Sequence, residues 1–244
     1  MQRVKVTLSY DGNFFNGFQR QRDNTQERTV AGTLEEALKR LNIHSSIIGA
    51  GRTDAGVHAF GQVVHFELPS FWHDIKKLHY HLNAFLHPHI HIKQIMPISH
   101  DFHARFSAKK RLYRYVLYDG AYQPFLSRYA LHVKPLESQK LDAYAKLFTG
   151  FHNFGFFKKE GGGTTKEERT IFKAGAYRCN HVIVIYFLGD AFLRSQVRMM
   201  CDMILKVYEG ILSPEDLIAQ RDKQAKHSST LAPACGLYLS RIYY

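Results

Sequence analysis

The chain is poor in the features that mark secreted, membrane-spanning or metal-clustered proteins. Its three cysteines, Cys179, Cys201 and Cys235, form no CxxC pair and no even set. That argues against a disulfide framework and a zinc ribbon, and for a reducing compartment. The opening MQRVKVTLSY lacks a basic segment followed by an apolar run, so no signal peptide is expected. The most apolar stretch, VIVIYFLG at 182–189, is far too short to cross a bilayer. No low-complexity linker and no solenoid period interrupts the chain. A soluble, cytoplasmic protein is expected. Acidic side chains are also scarce, 21 against 33 Lys and Arg.

What is present follows from that imbalance. A net charge of +12 and a pI near 9.6 favour a polyanionic partner, because each neutralised phosphate releases condensed counterions. The 14 Tyr and 18 Phe can stack on bases as well as fill a core. At 244 residues there is room for one large domain or two intimate halves. Alternation over 4–10 and 62–68 reads as strand, and Leu34, Leu38 and Leu41 are spaced for a helix beginning near Thr29. Further strands are expected at 45–49, 90–98, 107–118, 169–176, 181–188 and 236–243. Helices are expected at 73–85, 139–147, 192–208 and from Ser213-Pro214-Glu215 onward. Strands joined both by helices and by hairpins favour an α+β fold with a mixed, largely antiparallel sheet and helices packed on it. The division between halves is placed at 104/105, near a seam at 99–106. The KKEGGGTTKEE segment at 158–168 is expected to be a mobile loop or hairpin tip.

Four stretches could carry chemistry. In GAGRTDAGVHAFGQVVHFEL, 49–68, one carboxylate, Asp54, is fenced by Gly49, Gly51 and Gly56, with Arg52 two residues before it. Glycines allow a sharp turn or a close approach, and a carboxylate on a loop between strands is a common catalytic placement. The plain alternative is an Asx-turn with a surface ion pair. HYHLNAFLHPHIHIK places His87, His89 and His91 in alternation, which on a strand would set three imidazoles on one face. A solvated surface is the better reading there, and no metal is assigned. FHARFSAKKRLYRYVLY interleaves cations with aromatic rings, with Arg111, Tyr113, Tyr115 and Leu117 on one strand face. Arg194 and Arg198 fall four apart on the expected long helix.

GRTDAGVHA followed by GQVVHFEL resembles the signature of the TruA family of tRNA pseudouridine synthases. YDGNFFNGFQRQ (10–21), TVAGTLEEAL (29–38), DFHARFSAKKRLYRYVLY (101–118), AFLRSQVR (191–198) and GLYL (236–239) resemble the family's other blocks in the same order. The resemblance implies an isomerase converting uridine to pseudouridine at positions 38, 39 and 40 of the tRNA anticodon stem-loop. It implies no cofactor, a homodimer, and two related halves meeting at a central basic cleft. The half 1–104 would carry the catalytic loop, and 105–244 would complete the cleft. Asp54 would be the catalytic nucleophile and Arg52 would help displace the target nucleotide. Tyr113 would pack on the uracil, Arg198 would pair with Asp54, and Leu237 would line the pocket. Where the family helix usually reads close to HMVRN, this chain has SQVRMMCD, so different packing is expected around Gln196, Met199 and Asp202. Phe18 stands where Trp is often seen. The alternative is a non-catalytic RNA-binding protein of the same fold.

Overall fold

Val4, Val6 and Leu8 alternate with polar residues and are almost wholly buried, as a strand with one face on a core requires. They belong to β1 (Gln2–Tyr10) in the computed structural model, which describes residues 1–20, 28–161 and 166–244. The described residues form two compact units, 1–109 with 239–244, and 110–238. The sequence-based division was at 104/105 with no return of the C-terminal segment.

In the first unit β1 lies between β3 (His58–Leu68) and β4 (Ile90–Pro97), antiparallel to both. A two-residue strand, β2 (Ile48–Gly49), joins the other edge of β3. The last strand of the chain, β10 (Leu237–Tyr243), also neighbours β3. Helices α1 (Val30–Arg40) and α2 (Ile75–Leu86) supply the rest of the core through Leu34, Leu38, Leu78, Leu82 and Leu86. Buried Thr29 caps α1, its hydroxyl accepting the Gly32 N–H at 3.2 Å. Asn83 of α2 covers part of the outer edge of β4. Its amide oxygen accepts the Ile92 N–H at 2.7 Å, and its amide nitrogen donates to the Ile92 carbonyl at 3.0 Å.

The second unit has β5 (Lys110–Tyr118), β7 (Gly150–Asn153), β8 (Glu168–Cys179) and β9 (Val182–Gly189) in the order β5-β9-β8-β7, each neighbouring pair antiparallel. The short β6 (Leu131–His132) is parallel to β5. Helix α3 (Ser138–Lys146) packs on β8 and against α4 (Gln196–Tyr208), while α5 (Pro214–Arg221) follows a capping box on Ser213. Phe148, Phe154, Phe157 and Phe187 form the aromatic centre of its core, all fully buried. The architecture is therefore α+β with largely antiparallel strands.

Several expectations shift. The long helix starts at Gln196, not at Phe192, because Ser195 has φ 60° and ends the helical run on its N-terminal side. The strand expected at 45–49 shrinks to β2. Of the three alternating histidines only His91 lies within a strand. His87 and His91 stack with their Nε2 and Nδ1 atoms 2.9 Å apart, whereas His89 stacks on Phe14. The three therefore do not share one strand face. Among the described residues no group of three or more His, Cys, Asp or Glu could hold a metal ion. No described helix is long and apolar enough to cross a membrane. Part of the loop expected to be mobile, 162–165, lies outside the described residues, as does Gln21 at the end of the first motif block.

His65, buried on β3, accepts the Ala104 N–H on Nδ1 at 3.1 Å. Burial, followed by the nearby Arg3 guanidinium, lowers its pKa from the ordinary 6.5 to about 4. The unfolded chain thus takes up this proton before the folded one does. The resulting stability is complete above about pH 6.5 and is lost as the pH falls toward about 4, by up to about 3 kcal/mol. Urea unfolding at stepped pH should show that decline, and His65→Gln should flatten it. A variant curve as steep as the wild type would remove His65 as its source.

Candidate functional site

The segment from Ala50 to Val57 is irregular in conformation yet tied at both ends and in its middle. The Ala50 N–H donates to the Val63 carbonyl at 2.8 Å, and the buried Gln62 amide donates to the Gly51 carbonyl at 2.9 Å. The Thr53 carbonyl accepts the Phe18 N–H at 3.1 Å, while its hydroxyl meets the Tyr10 hydroxyl at 2.7 Å in a buried contact. The Asp54 carbonyl accepts the Val57 N–H at 3.2 Å, closing a turn in which Gly56 has φ +76°. Thr53 is buried, whereas Arg52 is exposed and Asp54 half-buried. The residue between the two charged groups anchors the loop, and the charged side chains remain at the surface.

Two sequence blocks thereby become one site. Tyr10, Gly12 and Phe18 come from the first block and meet Thr53, His58 and Gly49 from the second, the Gly12 N–H donating to His58 Nδ1 at 3.0 Å. Both blocks stand out in the sequence, but nothing in it shows that Tyr10 and Thr53, 43 residues apart, share a hydrogen bond. The ladder between β1 and β3 also shifts register between Leu8 and Tyr10, a local irregularity beside the loop. Gly49 and Gly51 differ in kind. A Cβ at Gly49 would lie 2.4 Å from the Phe18 ring, whereas a Cβ at Gly51 would meet nothing within 4 Å among the described residues.

The other expected site residues lie in the second unit. Tyr113 on β5 is buried, and its ring meets Phe192 edge-on with centroids 5.1 Å apart. Arg111, two residues earlier on the same face, is buried too and donates to the Asp190 carbonyl at 2.6 Å. Arg198, half-buried in the first turn of α4, donates from Nε to the Ala232 carbonyl at 2.8 Å. The Ala232 N–H returns to the Arg198 carbonyl at 3.2 Å. Tyr115 holds the same segment by donating to the Pro233 carbonyl at 2.8 Å, and burial raises its phenol far above the ordinary range. Leu237, buried at the start of β10, follows after the short helical turn Ala234–Gly236. Within this unit, then, Arg198 grips at Ala232 the segment that leads to Leu237.

Arg194 does not share a helical stripe with Arg198. It precedes α4 and donates to the Glu160 carbonyl at 2.9 Å. Gln196, which replaces the usual family residue, is fully buried. Its amide oxygen accepts the Leu193 N–H at 2.8 Å, and its amide nitrogen approaches the Met200 sulfur at 3.6 Å. The altered helix start is thus satisfied internally.

A family model described as tRNA pseudouridine synthase matches residues 7–107 and again 144–244. The tRNA pseudouridine synthase A of Helicobacter pylori strain ATCC 700392 / 26695 is 40% identical over 248 residues, covering all of both chains. Proteins of the same name from Campylobacter jejuni strain ATCC 700819 / NCTC 11168 and from Helicobacter hepaticus are 36% and 38% identical, again over the full length of each.

The glycine geometry separates two substitutions. Gly49→Ala forces Phe18 to move and should destabilise the protein by about 1–3 kcal/mol. Gly51→Ala enters open space and should change stability by less than about 0.5 kcal/mol. Thermal melts of both variants test this, and equal losses would refute the distinction.

Proposed function

The chain belongs to the tRNA pseudouridine synthase family, and from that premise we propose that it acts on the anticodon stem-loop at positions 38, 39 and 40, with Asp54 as its catalytic nucleophile. As a member of that family it is an isomerase. The reaction breaks the bond from C1′ to N1, turns the uracil, and joins C1′ to C5. Nothing is added and no electron is transferred, so the protein has to supply a carboxylate, a pocket that retains the detached base, and access to a nucleotide out of its stack. One carboxylate serves each available route, whether attack at C1′, attack at C6, or removal of the 2′ proton.

The observation that carries the assignment is the loop itself: Asp54 stays partly accessible while the backbone around it is anchored on both sides. Such bracing keeps a reacting group within the narrow tolerance that catalysis demands. In this reading Arg198 supplies the countercharge to Asp54, and Tyr113 packs on the uracil. Leu237 lines the pocket, and Arg52 fills the space left in the RNA. Drawing the uridine from its stack costs a few kcal/mol, which the Tyr113 and Arg52 contacts offset. Tyr113 acts by packing rather than as a base, because a phenol is weakly basic at neutral pH. The tRNA is held in a basic cleft. The enzyme works as a cytoplasmic homodimer. Gly51, which the fold leaves unencumbered, keeps the loop open to the RNA backbone.

Asp54→Asn should lower pseudouridine formation on undermodified tRNA by on the order of 10⁴-fold or more while tRNA still binds. Site mapping of the wild-type product should place the modification at positions 38–40. Product from the Asn variant would move the chemistry away from Asp54, and product elsewhere in the tRNA would overturn the site specificity.

The basic cleft has its own signature. Raising salt from about 50 to about 200 mM should weaken tRNA binding by roughly 10³-fold if six or more phosphates are neutralised. A flat response in a filter-binding titration would exclude that mode of binding.

A further inference from the structure

Phe106 is 77% exposed, although the turn that carries it is firmly held. The His103 N–H donates to the Ser107 hydroxyl at 3.0 Å, and the Ser107 N–H returns to the His103 carbonyl at 2.8 Å. The Arg105 and Phe106 N–H groups both donate to His103 Nδ1 at 3.2 Å. Between them, the buried Ala104 donates to His65 Nδ1 at 3.1 Å and accepts from the Tyr244 hydroxyl at 2.9 Å. A large apolar ring on such a rigid base is preorganised, so little ordering remains to oppose binding.

The ring's neighbours define what it fits. One side of Phe106 stacks on His103, with centroids 4.3 Å apart and planes at 29°. The Arg105 guanidinium lies 5.7 Å from the Phe106 centroid. Lys109 is exposed three residues on, and Lys5 lies 5.9 Å and 5.5 Å from the rings of Phe102 and Tyr244 beside the turn. A flat aromatic surface among cations complements a base joined to a phosphate better than it does an apolar protein face. We propose that Phe106 is a stacking site for a tRNA base other than the reacting uridine, continuing the His103–Phe106 stack while Arg105 meets the adjoining phosphate. The inference rests on the tRNA-modifying reading above.

Its distance from the loop explains why the base differs from the target. The turn is tied to β3 at His65, whereas Asp54 precedes the start of β3 at His58. Strand geometry separates these two points on β3 by roughly 23 Å. The site therefore contributes to holding the RNA and not to the chemical step.

Phe106→Ala should raise KM for full-length tRNA by about five-fold or more and leave kcat within about two-fold, with an unchanged melting temperature. Phe106→Tyr should restore KM and Phe106→Leu should not. Phe106→Trp should bind tRNA with quenched indole emission, the wild type with Trp72 alone giving the baseline. An unchanged KM in the Ala variant, restoration by Leu, or an unquenched Trp would overturn the proposal. So would a shift of the Ala variant's sedimentation, which would assign the ring to a contact between copies of the chain. A wild type that binds tRNA without making pseudouridine would instead refute the catalytic reading, and the indole signal would still decide the stacking site.

Discussion

The buried contact between the Tyr10 and Thr53 hydroxyls is the constraint on which the candidate site depends. Tyr10 ends the first strand, and Thr53 stands between Arg52 and Asp54. Separating a hydroxyl pair buried away from water costs free energy, so this contact resists displacement of the loop. The Gln62 amide and the Phe18 N–H act on the neighbouring carbonyls in the same sense. Without them the loop would be a flexible, glycine-rich connection. With them several of its backbone groups are matched internally, and its two charged side chains remain at the surface.

Much of this was legible in the sequence, and the limits have physical causes. Asp54 stood out because a single carboxylate among glycines between two strand patterns is unusual. The anchors did not, since Tyr10 and Phe18 look like ordinary strand and core aromatics until the chain folds back. Spacing also treats the three glycines alike. In the structure Gly49 is required by a ring, Gly56 by its dihedral angle, and Gly51 by no close neighbour among the described residues. Periodicity carried α4 back to Phe192 because Phe192 and Leu193 are apolar at suitable positions. It could not register that Ser195 adopts a left-handed conformation. The strand expected from residue 90 does begin at Ile90, which leaves His87 and His89 outside it and His91 within it.

The second unit braces its functional side chains differently. Arg198 and Tyr115 grip successive residues of an irregular segment, so Leu237 enters β10 from a fixed point. A buried Gln220 supports the preceding stretch, accepting the His227 and Ser228 N–H groups at 2.8 Å and donating to the Ser228 carbonyl at 2.8 Å. Side-chain amides and a guanidinium thus do the work that ladder hydrogen bonds do elsewhere. Such polar braces are hard to find by pattern, because Gln and Arg are usually surface residues and only burial distinguishes these.

The first unit is also discontinuous: residues 239–244 complete a body whose other members all precede residue 110. A ribosome delivers β1, β3 and β4 early, but Tyr243, which accepts the Lys109 N–H, and Tyr244, which holds Ala104, emerge only after the intervening 110–238. The nascent first unit therefore remains incomplete throughout synthesis of the second, with the neighbouring position beside β3 unfilled. Residues 110–238 form an uninterrupted stretch with no such wait. The two units therefore become complete within six residues of one another, and the N-terminal one has no head start.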